Sequence, residues 1–301
     1  MKITNRHNLP WALVRAAQRD NYSRGESRKS VTQLISPPRI DLLRERHSGE
    51  MSTDLVDKIW SMLGSAVHHL LEQGAAEGHT PEERLFTTIG GWVISGQVDV
   101  QHDDGVPGII DYKVTSVWSV MFDKPEWEQQ LNAYAYLVWA AKGIKIEKLQ
   151  ICAILRDWRR SDADKDPTYP QQPIQLVDVA LWSEDEQAAW LAERVALHQA
   201  ATTAIEFGEE LPRCTDDERW IRASKWAVFK PGGKRATKVV DNEEDARAEA
   251  ERVGGTVQQR GGEPKRCTGN YCGVRDWCSQ WAEDASQRGG NADKSRCPVF
   301  H

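Results

Sequence analysis

The residues best suited to metal or acid–base chemistry lie between Gly96 and Tyr134. Asp111 and Lys113 alternate with apolar residues in the run IIDYKV, and Asp99 stands in a similar run, GQVDV. Side chains two residues apart on a strand share a face, so Asp111 and Lys113 point the same way. The two runs are separated by the turn formers HDDGVPG, which predict an antiparallel pair with both carboxylates at one polar spot.

Two carboxylates at such a short distance repel each other unless a cation lies between them. Their oxygens are hard ligands, which suit Mg²⁺ or Mn²⁺. Together with an ammonium group on the same face, this set predicts metal-assisted hydrolysis of a phosphodiester.

A helix is predicted just upstream, from about Asp54 to Gln73. Its apolar residues recur at three- and four-residue spacing, at Leu55, Ile59, Leu63, Val67, Leu70 and Leu71. Gly64 and His68 fall on a neighbouring stripe. A glycine inside a helix costs up to roughly 1 kcal/mol relative to alanine, so we expect something to approach the backbone at Gly64. His68 is then either a metal ligand or an ordinary surface histidine.

A second helix is predicted to begin at Pro125 and to stop at Gly143, with Gln130 and Tyr134 on one face. A strand (147–158), a polar loop (159–173) and a short strand (174–180) follow. The next helix is expected to begin at a capping box formed by Ser183 and Glu186. This order of helices and strands predicts an α/β (α+β) fold with a nuclease-like core.

The composition is that of a soluble globular protein of 301 residues, with 40% hydrophobic and 28% charged residues. No apolar run reaches the length of a membrane span, and the N-terminus lacks the apolar core of a signal peptide, so we expect a cytoplasmic protein. A net charge of −6 argues against nonspecific coating of nucleic acid and leaves room for a confined basic channel. We interpret most of the 13 tryptophans as packing residues, with base-stacking platforms as the alternative.

The sequence suggests three regions. They are an N-terminal segment packing on the core (1–53), the nuclease core (54–210) and a C-terminal region (211–301). The last region holds a predicted hairpin whose basic residues are Lys225, Lys230, Lys234, Arg235 and Lys238. This hairpin is either a DNA-binding element or a solvated hairpin with buried aromatics.

The cysteines are unevenly distributed. Cys152 lies in an apolar strand and is expected to be an inert core thiol. The other five lie at or beyond position 214, with three crowded together in the spacing Cys-x4-Cys-x5-Cys. In a reducing compartment such clustering indicates metal or iron–sulfur ligation more than disulfides.

Four motifs occur in the order found in RecB-like PD-(D/E)XK nucleases, and the chain resembles their phage or bacterial exonuclease members. The motifs are Gly64-x3-His68, GQVD with Asp99, IIDYK with Asp111 and Lys113, and Gln130-x3-Tyr134. The resemblance covers residues 55–140 by motif and implies a restriction-endonuclease-like core, in which helices flank a mixed central sheet. Asp111 stands where many relatives carry Glu, and both forms fit the family pattern.

The resemblance also implies roles for these residues. The implied ligands of Mg²⁺ or Mn²⁺ are His68, Asp99, Asp111 and the backbone carbonyl of Tyr112. Lys113 would position or deprotonate the attacking water and stabilise charge on the scissile phosphate. Gln130 and Tyr134 would orient Lys113 or contact the DNA. Glu72 is a candidate for the outer shell of the metal.

The C-terminal cysteines resemble those of AddB and CRISPR-adaptation nucleases, which hold a [4Fe–4S] cluster with one upstream and three C-terminal cysteines. The corresponding residues here are Cys214, Cys267, Cys272 and Cys278. The first spacing of the trio is x4 where x2 is usual, and Cys214 follows the nuclease motifs where the upstream cysteine of many relatives precedes them. Zinc therefore stays open as the alternative, as does Cys297 as the fourth ligand.

The predicted function is a Mg²⁺/Mn²⁺-dependent DNA exonuclease acting on linear single- or double-stranded ends in phage or bacterial recombination or replication. A single-strand annealing or single-strand-binding protein is the expected partner, and a toroidal or trimeric homo-oligomer is compatible with this function. One alternative is a structure-specific endonuclease or an end-trimming subunit of a larger complex. Another is a catalytically idle DNA-binding scaffold, against which the set Asp99, Asp111 and Lys113 argues.

Overall fold

The computed structural model describes residues 2–19, 23–122, 124–221 and 223–287. The chain divides into two compact units, one comprising Met1–Asp41 and Arg46–Glu210, the other Leu42–Glu45 and Leu211–His301. Within the described ranges, no helix has both the length and the apolar character that a membrane span requires.

Among the described residues up to Glu206 there are eight strands and eight helices. The strands are β1 (Lys2–Thr4), β2 (Lys29–Ser30), β3 (Ser52–Asp54), β4 (Thr80–Ile89), β5 (Trp92–Asp103), β6 (Pro107–Thr115), β7 (Lys148–Leu155) and β8 (Ile174–Val179). The helices are α1 (Trp11–Gln18), α2 (Val31–Ile35), α3 (Pro38–Arg46), α4 (Leu55–Gln73), α5 (Trp118–Met121), α6 (Pro125–Lys142), α7 (Arg160–Ala163) and α8 (Glu184–Glu206). The helices predicted at α4, α6 and α8 are confirmed, including the capping box of α8.

A mixed sheet forms the centre of the first unit. Its strand order is β2-β5-β6-β7-β8, with β4 pairing along β5. The β5–β6 and β7–β8 pairs are antiparallel, whereas β6 and β7 are parallel. Helix α6 contacts the strands and also packs against α2 and α8. The predicted α/β class with a mixed central sheet flanked by helices is confirmed.

The N-terminal residues are built into this unit. Strand β2 pairs in parallel with β5, and Arg194 of α8 donates a hydrogen bond from Nε to the carbonyl of Leu34 (2.8 Å). The buried side chains of Lys29 and Asp41 form an ion pair with an Nζ–Oδ2 distance of 2.6 Å. This buried ion pair connects strand β2, which carries Lys29, to the first turn of α3, which carries Asp41.

The second unit has a small sheet of its own. Its elements are β9 (Lys225–Phe229), β10 (Lys238–Val240), α9 (Glu243–Val253), β11 (Thr256–Arg260), α10 (Lys265–Thr268), a 3-10 turn (Arg275–Trp277) and α11 (Ser279–Gln287). The sheet is antiparallel, in the order β10-β9-β11, and confirms the predicted hairpin. Trp226 packs against a core of Val228, Ala246 and Ala250, so this aromatic side chain has a packing role.

Helix α4 differs from the expectation in its burial. The apolar spacing predicts a covered face, but of its residues only Leu55 is buried. Ile59, Leu63 and Leu70 are all more than a third exposed. The approach expected at Gly64 is also missing, because a Cβ placed there would have no heavy atom within 4 Å among the described residues.

Helix α6 approaches β5 closely at Gly96. A Cβ at this position would lie 2.8 Å from the ring of Tyr134 and 3.0 Å from Leu137. Only a residue without a side chain allows this contact, because real Cβ atoms do not approach carbon that closely. Gly96 therefore sets the distance of α6, and with it Tyr134, from the sheet.

The two glycines give a matched pair of substitutions with opposite expected effects. Gly96→Ala forces the Tyr134 ring and α6 away from β5, and we expect a loss of about 1–3 kcal/mol in the free energy of unfolding. Gly64→Ala places a methyl group in open space on a helix, so we expect a gain of up to about 1 kcal/mol. Urea unfolding of both variants beside the wild type measures this, and equal effects would contradict the close packing at Gly96.

Candidate active site

The candidate site lies where β5 and β6 separate. Their pairing runs from Asp103 opposite Pro107 to Val100 opposite Ile110. Asp99 and Asp111 stand one step beyond the last pair. At this point the Asp99 side chain replaces the backbone as hydrogen-bond acceptor, because its Oδ2 accepts from the Tyr112 backbone N–H at 2.8 Å. The strands thus part at the two predicted carboxylates.

Asp111 is almost fully buried, with three predicted residues around it. Its Oδ1 accepts a hydrogen bond from Gln130 Nε2 at 3.1 Å, and the same nitrogen donates to the Tyr134 hydroxyl at 2.9 Å. Lys113 Nζ lies 2.6 Å from Asp111 Oδ2. The resemblance implied that Gln130 and Tyr134 orient Lys113 or contact DNA. In the structure Gln130 binds the Asp111 carboxylate, whose other oxygen contacts Lys113, and the roles of Gln130 and Tyr134 stay a prediction.

His68 projects from α4 towards β6. Its Nε2 lies 3.0 Å from the carbonyl oxygen of Tyr112, and its Nδ1 lies 3.4 Å from Glu82 Oε1 and 3.5 Å from Asp99 Oδ2. The surface-histidine alternative does not describe these contacts, because both ring nitrogens face polar atoms of the site.

Glu82 is a site residue that the sequence analysis missed. It lies on β4, and the β4–β5 register, which pairs Pro81 with Val100 and Glu83 with Val98, puts it opposite Asp99. Its backbone φ of 50° is in the left-handed region that non-glycine residues rarely adopt. The side chain is held in place, because Gln97 Nε2 donates to Glu82 Oε2 at 2.6 Å.

A sequence signal for Glu82 does exist. The run TPEERLFTTI, the dipeptide Gly90-Gly91 and the run WVISGQVDV together have the pattern of a hairpin with a two-residue turn. Such a turn pairs the residues on either side of it, here Ile89 with Trp92. Counting back from that pair places Glu82 opposite Asp99.

The electrostatics of the site favour a bound cation. Burial, together with the negative charge of Asp111, raises the pKa of Asp99 to about 7, although the charges of His68 and Lys113 oppose this. The contact between Glu82 and His68 raises the pKa of the His68 imidazole and lowers the pKa of Glu82. Without a cation, the site therefore retains protons that carboxylate and imidazole ligands must lose to bind a metal.

The residues present fit a hard divalent cation. One ligand atom each from His68, Glu82 and Asp99 lies within 4.8 Å of the other two. His68 Nε2 and the Tyr112 carbonyl oxygen would be further ligands; they lie 3.0 Å apart as a hydrogen bond, so Nε2 would first have to lose its proton. Asp111 Oδ2 contacts the Lys113 ammonium at 2.6 Å, so a metal bound there would share this oxygen with Lys113.

The cleft around these groups has a volume of about 590 Å³. Glu72 lines it, but the carboxylate of Glu72 contacts His69 (3.6 Å) and not His68. Glu72 thus lies at the rim, while the buried acids form the floor.

The four predicted cysteine ligands all belong to the second unit, and none of them forms a disulfide. Burial, with added contributions from the nearby Cys267 and Cys278, raises the pKa of the Cys272 thiol. Gln280 binds the backbone of Cys214 twice, accepting from its N–H (2.8 Å) and donating to its carbonyl (3.0 Å). Cys297 lies outside the described residues.

The predicted DNA-binding residues Lys225, Lys230, Lys234, Arg235 and Lys238 are all exposed on or beside the β9–β10 hairpin. Two of them face carboxylates, since Lys225 Nζ lies 2.9 Å from Asp241 Oδ1 and Lys238 Nζ lies 3.9 Å from Glu249 Oε2. These neighbours reduce the basic character of the hairpin. Its role in DNA binding stays a prediction.

The protonation of Asp99 predicts that metal affinity depends on pH. Below pH 7 a cation must displace the Asp99 proton, so we expect Mn²⁺ affinity to rise about tenfold per pH unit between pH 5.5 and 7 and then to level off. The raised pKa of His68 acts with the same sign. Electron paramagnetic resonance of free Mn²⁺ during titration measures this affinity without any turnover.

Two variants sharpen the pH experiment. Glu82→Gln removes the carboxylate that faces His68 Nδ1, and we expect Mn²⁺ to bind about 10–100-fold more weakly at every pH. Asp104→Asn, at the exposed turn after β5, is the control and should leave the affinity unchanged. A pH-independent affinity in the wild type would contradict the account of Asp99.

Comparisons with known proteins find structural neighbours only. No protein-family model and no curated protein matches the chain. The solved structure of SSO0001 is 16% identical, covers 62% of this chain and 85% of its own, and has a TM-score of 0.41. An alkaline exonuclease from Laribacter hongkongensis is 17% identical, covers 47% of this chain and 69% of its own, and has a TM-score of 0.26. At TM-scores below 0.5 these likenesses carry no argument, so the function is argued from the residues of the site.

Proposed function

We propose that this chain is a divalent-metal-dependent deoxyribonuclease that degrades DNA from its ends. The observation that carries the proposal is the meeting of His68, Asp99, Asp111 and Lys113 in one cleft at the parting of β5 and β6. Acidic and imidazole ligands beside a lysine are the groups that hydrolysis of a phosphodiester requires.

The metal ligands would be His68 Nε2, the Tyr112 carbonyl oxygen and the carboxylates of Asp99 and Asp111. When bound, Mg²⁺ or Mn²⁺ supplies Lewis acidity, which lowers the pKa of water and offsets negative charge in the transition state. Glu82 acts one step back. Without a metal, His68 donates from Nδ1–H towards Glu82 and from Nε2–H to the Tyr112 carbonyl. On metal binding Nε2 would lose its proton, while Glu82 would keep the ring in place by accepting from Nδ1–H.

Lys113 is the residue we assign to the attacking water and the scissile phosphate. Its side chain is about a quarter exposed and its Nζ contacts Asp111, so it reaches from the buried floor into the cleft. There the ammonium can hold a water by hydrogen bonding and stabilise the charge that develops on the phosphate. Gln130 maintains this arrangement, because it binds the other oxygen of Asp111.

The role we propose in the cell is recombination or replication in a phage or bacterium, where end degradation produces single strands. A single-strand annealing or single-strand-binding protein would take up those strands. The support for this role is the family resemblance of the motifs.

For the second unit we propose a structural [4Fe–4S] cluster held by Cys214, Cys267, Cys272 and Cys278. Support comes from Cys267 and Cys278, which both raise the pKa of the Cys272 thiol, and from the two hydrogen bonds between Gln280 of α11 and the backbone of Cys214. Such a cluster would clamp the C-terminal segment, and zinc is the metal that four thiolates would otherwise take.

Lys113→Ala tests the mechanism. Because the variant keeps the carboxylates, we expect Mn²⁺ binding to remain within a few-fold of the wild type while cleavage of linear DNA falls by about 10²-fold or more. Closed circular DNA should resist the wild-type protein, since an exonuclease requires an end. Equal degradation by the wild type and Lys113→Ala would reject the proposed mechanism, and cutting of closed circles would replace the exonuclease with an endonuclease.

Cysteine variants test the cluster. After anaerobic purification we expect iron, with an absorbance band at roughly 400 nm, in the wild type and in Cys297→Ser. Cys214→Ser should lose most of the iron. A colourless wild type containing one zinc would show that zinc occupies the site. Loss of iron only in Cys297→Ser would show that Cys297, and not Cys214, is the fourth ligand.

A further inference from the structure

One stripe of α4 connects the candidate metal site with an exposed aromatic residue. Trp60, Gly64 and His68 follow each other at four-residue spacing, which places them on one side of the helix. Trp60 is 51% exposed, and Gly64 leaves the stripe open between it and His68. Eight residues of helix span about 12 Å, so Trp60 lies within reach of any strand whose phosphate is at the metal site.

Trp60 does not stand alone. The Arg156 guanidinium lies over its ring, with Cζ 4.4 Å from the ring centroid. Arg156 directly follows β7, and its backbone N–H donates to the carbonyl of Thr115 at the end of β6 (2.9 Å). The arginine therefore connects α4 to the same end of the strand that carries Asp111 and Lys113.

Two more exposed aromatics follow at that end of β6. The rings of Trp118 and Phe122 are stacked, with centroids 5.9 Å apart and planes 16° from parallel. They are 58% and 63% exposed. The start of this turn is anchored, because Val117 N–H donates to Asp157 Oδ1 (2.8 Å), next to Arg156. The pair is thus anchored at its start, and although each ring covers one face of the other, more than half of each side chain remains open to solvent.

We propose that Trp60, Trp118 and Phe122 form a stacking platform for the unpaired bases of a single DNA strand, with Arg156 contacting its phosphates. This inference rests on the proposed nuclease function, which it deepens by naming single-stranded DNA as the substrate that the cleft receives. Flat aromatic faces accept any base, and a guanidinium neutralises the backbone. Bases inside a duplex are already stacked on each other, so a platform of this kind selects unpaired ones.

The platform adjoins the strand that carries the candidate catalytic residues. The strand β6 carries Lys113 and reaches Thr115 two residues later, immediately before the turn that bears Trp118. A strand that stacks there and continues along the open stripe at Gly64 arrives at the cleft where His68 and Asp111 lie.

Binding without cleavage tests the platform. The probe is a labelled oligothymidylate of about 12 nucleotides, within the usual range for a single-strand site, titrated by fluorescence anisotropy with Ca²⁺ as the cation. We expect Trp118→Ala and Phe122→Ala each to raise the Kd for this strand about tenfold, and Trp118→Phe to retain most of the affinity. A blunt duplex of the same length should show a change of less than about twofold.

Phe207→Ala is the matched control, since Phe207 is 76% exposed at the end of α8 and should not affect strand binding. Thermal unfolding of all variants verifies that the substitutions leave the fold intact. Unchanged single-strand affinity in the Trp118 and Phe122 variants would overturn the platform. So would a loss of self-association in sedimentation without a loss of strand affinity, since the surface would then be a protein interface.

This test and the test of the proposed function fail separately. If Lys113→Ala degrades DNA as the wild type does, the mechanism is rejected, while a tenfold loss of strand affinity in Trp118→Ala still supports the platform. If instead the wild type cleaves with its metal and Trp118→Ala binds and cleaves single strands equally well, the nuclease stands and the platform is rejected.

Discussion

Two buried carboxylates placed next to each other at the centre of a sheet are the constraint on which the first unit depends. Asp99 and Asp111 stand one register step beyond the last pair of β5 and β6. Two ionised groups in such a position repel each other, and their desolvation is costly unless cations and hydrogen bonds compensate. The parting of the strands, the nearby Lys113 and the raised pKa of Asp99 all follow from this repulsion and its compensation.

The surrounding side chains hold the two carboxylates in place against this repulsion. Gly96 lets α6 approach β5 closely enough for Gln130 to bind Asp111. On the other edge of β5, a continuous run of hydrogen bonds from Arg84 through Gln97 to Glu82 fixes the carboxylate that faces His68. These three side chains are half-buried, and their hydrogen bonds hold Glu82 in position despite its left-handed backbone.

The parts of the site that follow from local periodicity were predictable from the sequence. Alternation along β6 places Asp111 and Lys113 on one face, and helical spacing aligns Gln130 with Tyr134. The rest depends on contacts between distant segments. The β4–β5 register places Glu82 in the site, and the packing around α4 decides that its apolar face is exposed. The contact of Gln130 with Asp111 depends on the helix–sheet distance set at Gly96. Periodicity carries no information about these distances, because tertiary packing decides them.

The net charge of −6 makes recognition of DNA a separate problem from its hydrolysis. An acidic floor repels phosphates until a cation is bound, and counterion release at a few basic side chains gives an affinity that salt weakens. The basic hairpin of the second unit offers little compensation, since two of its lysines face carboxylates. Stacking on aromatic faces draws on dispersion and on the burial of apolar surface, both of which are insensitive to net charge. For an acidic chain, exposed tryptophans beside the cleft are therefore a physically economical means of holding an unpaired strand.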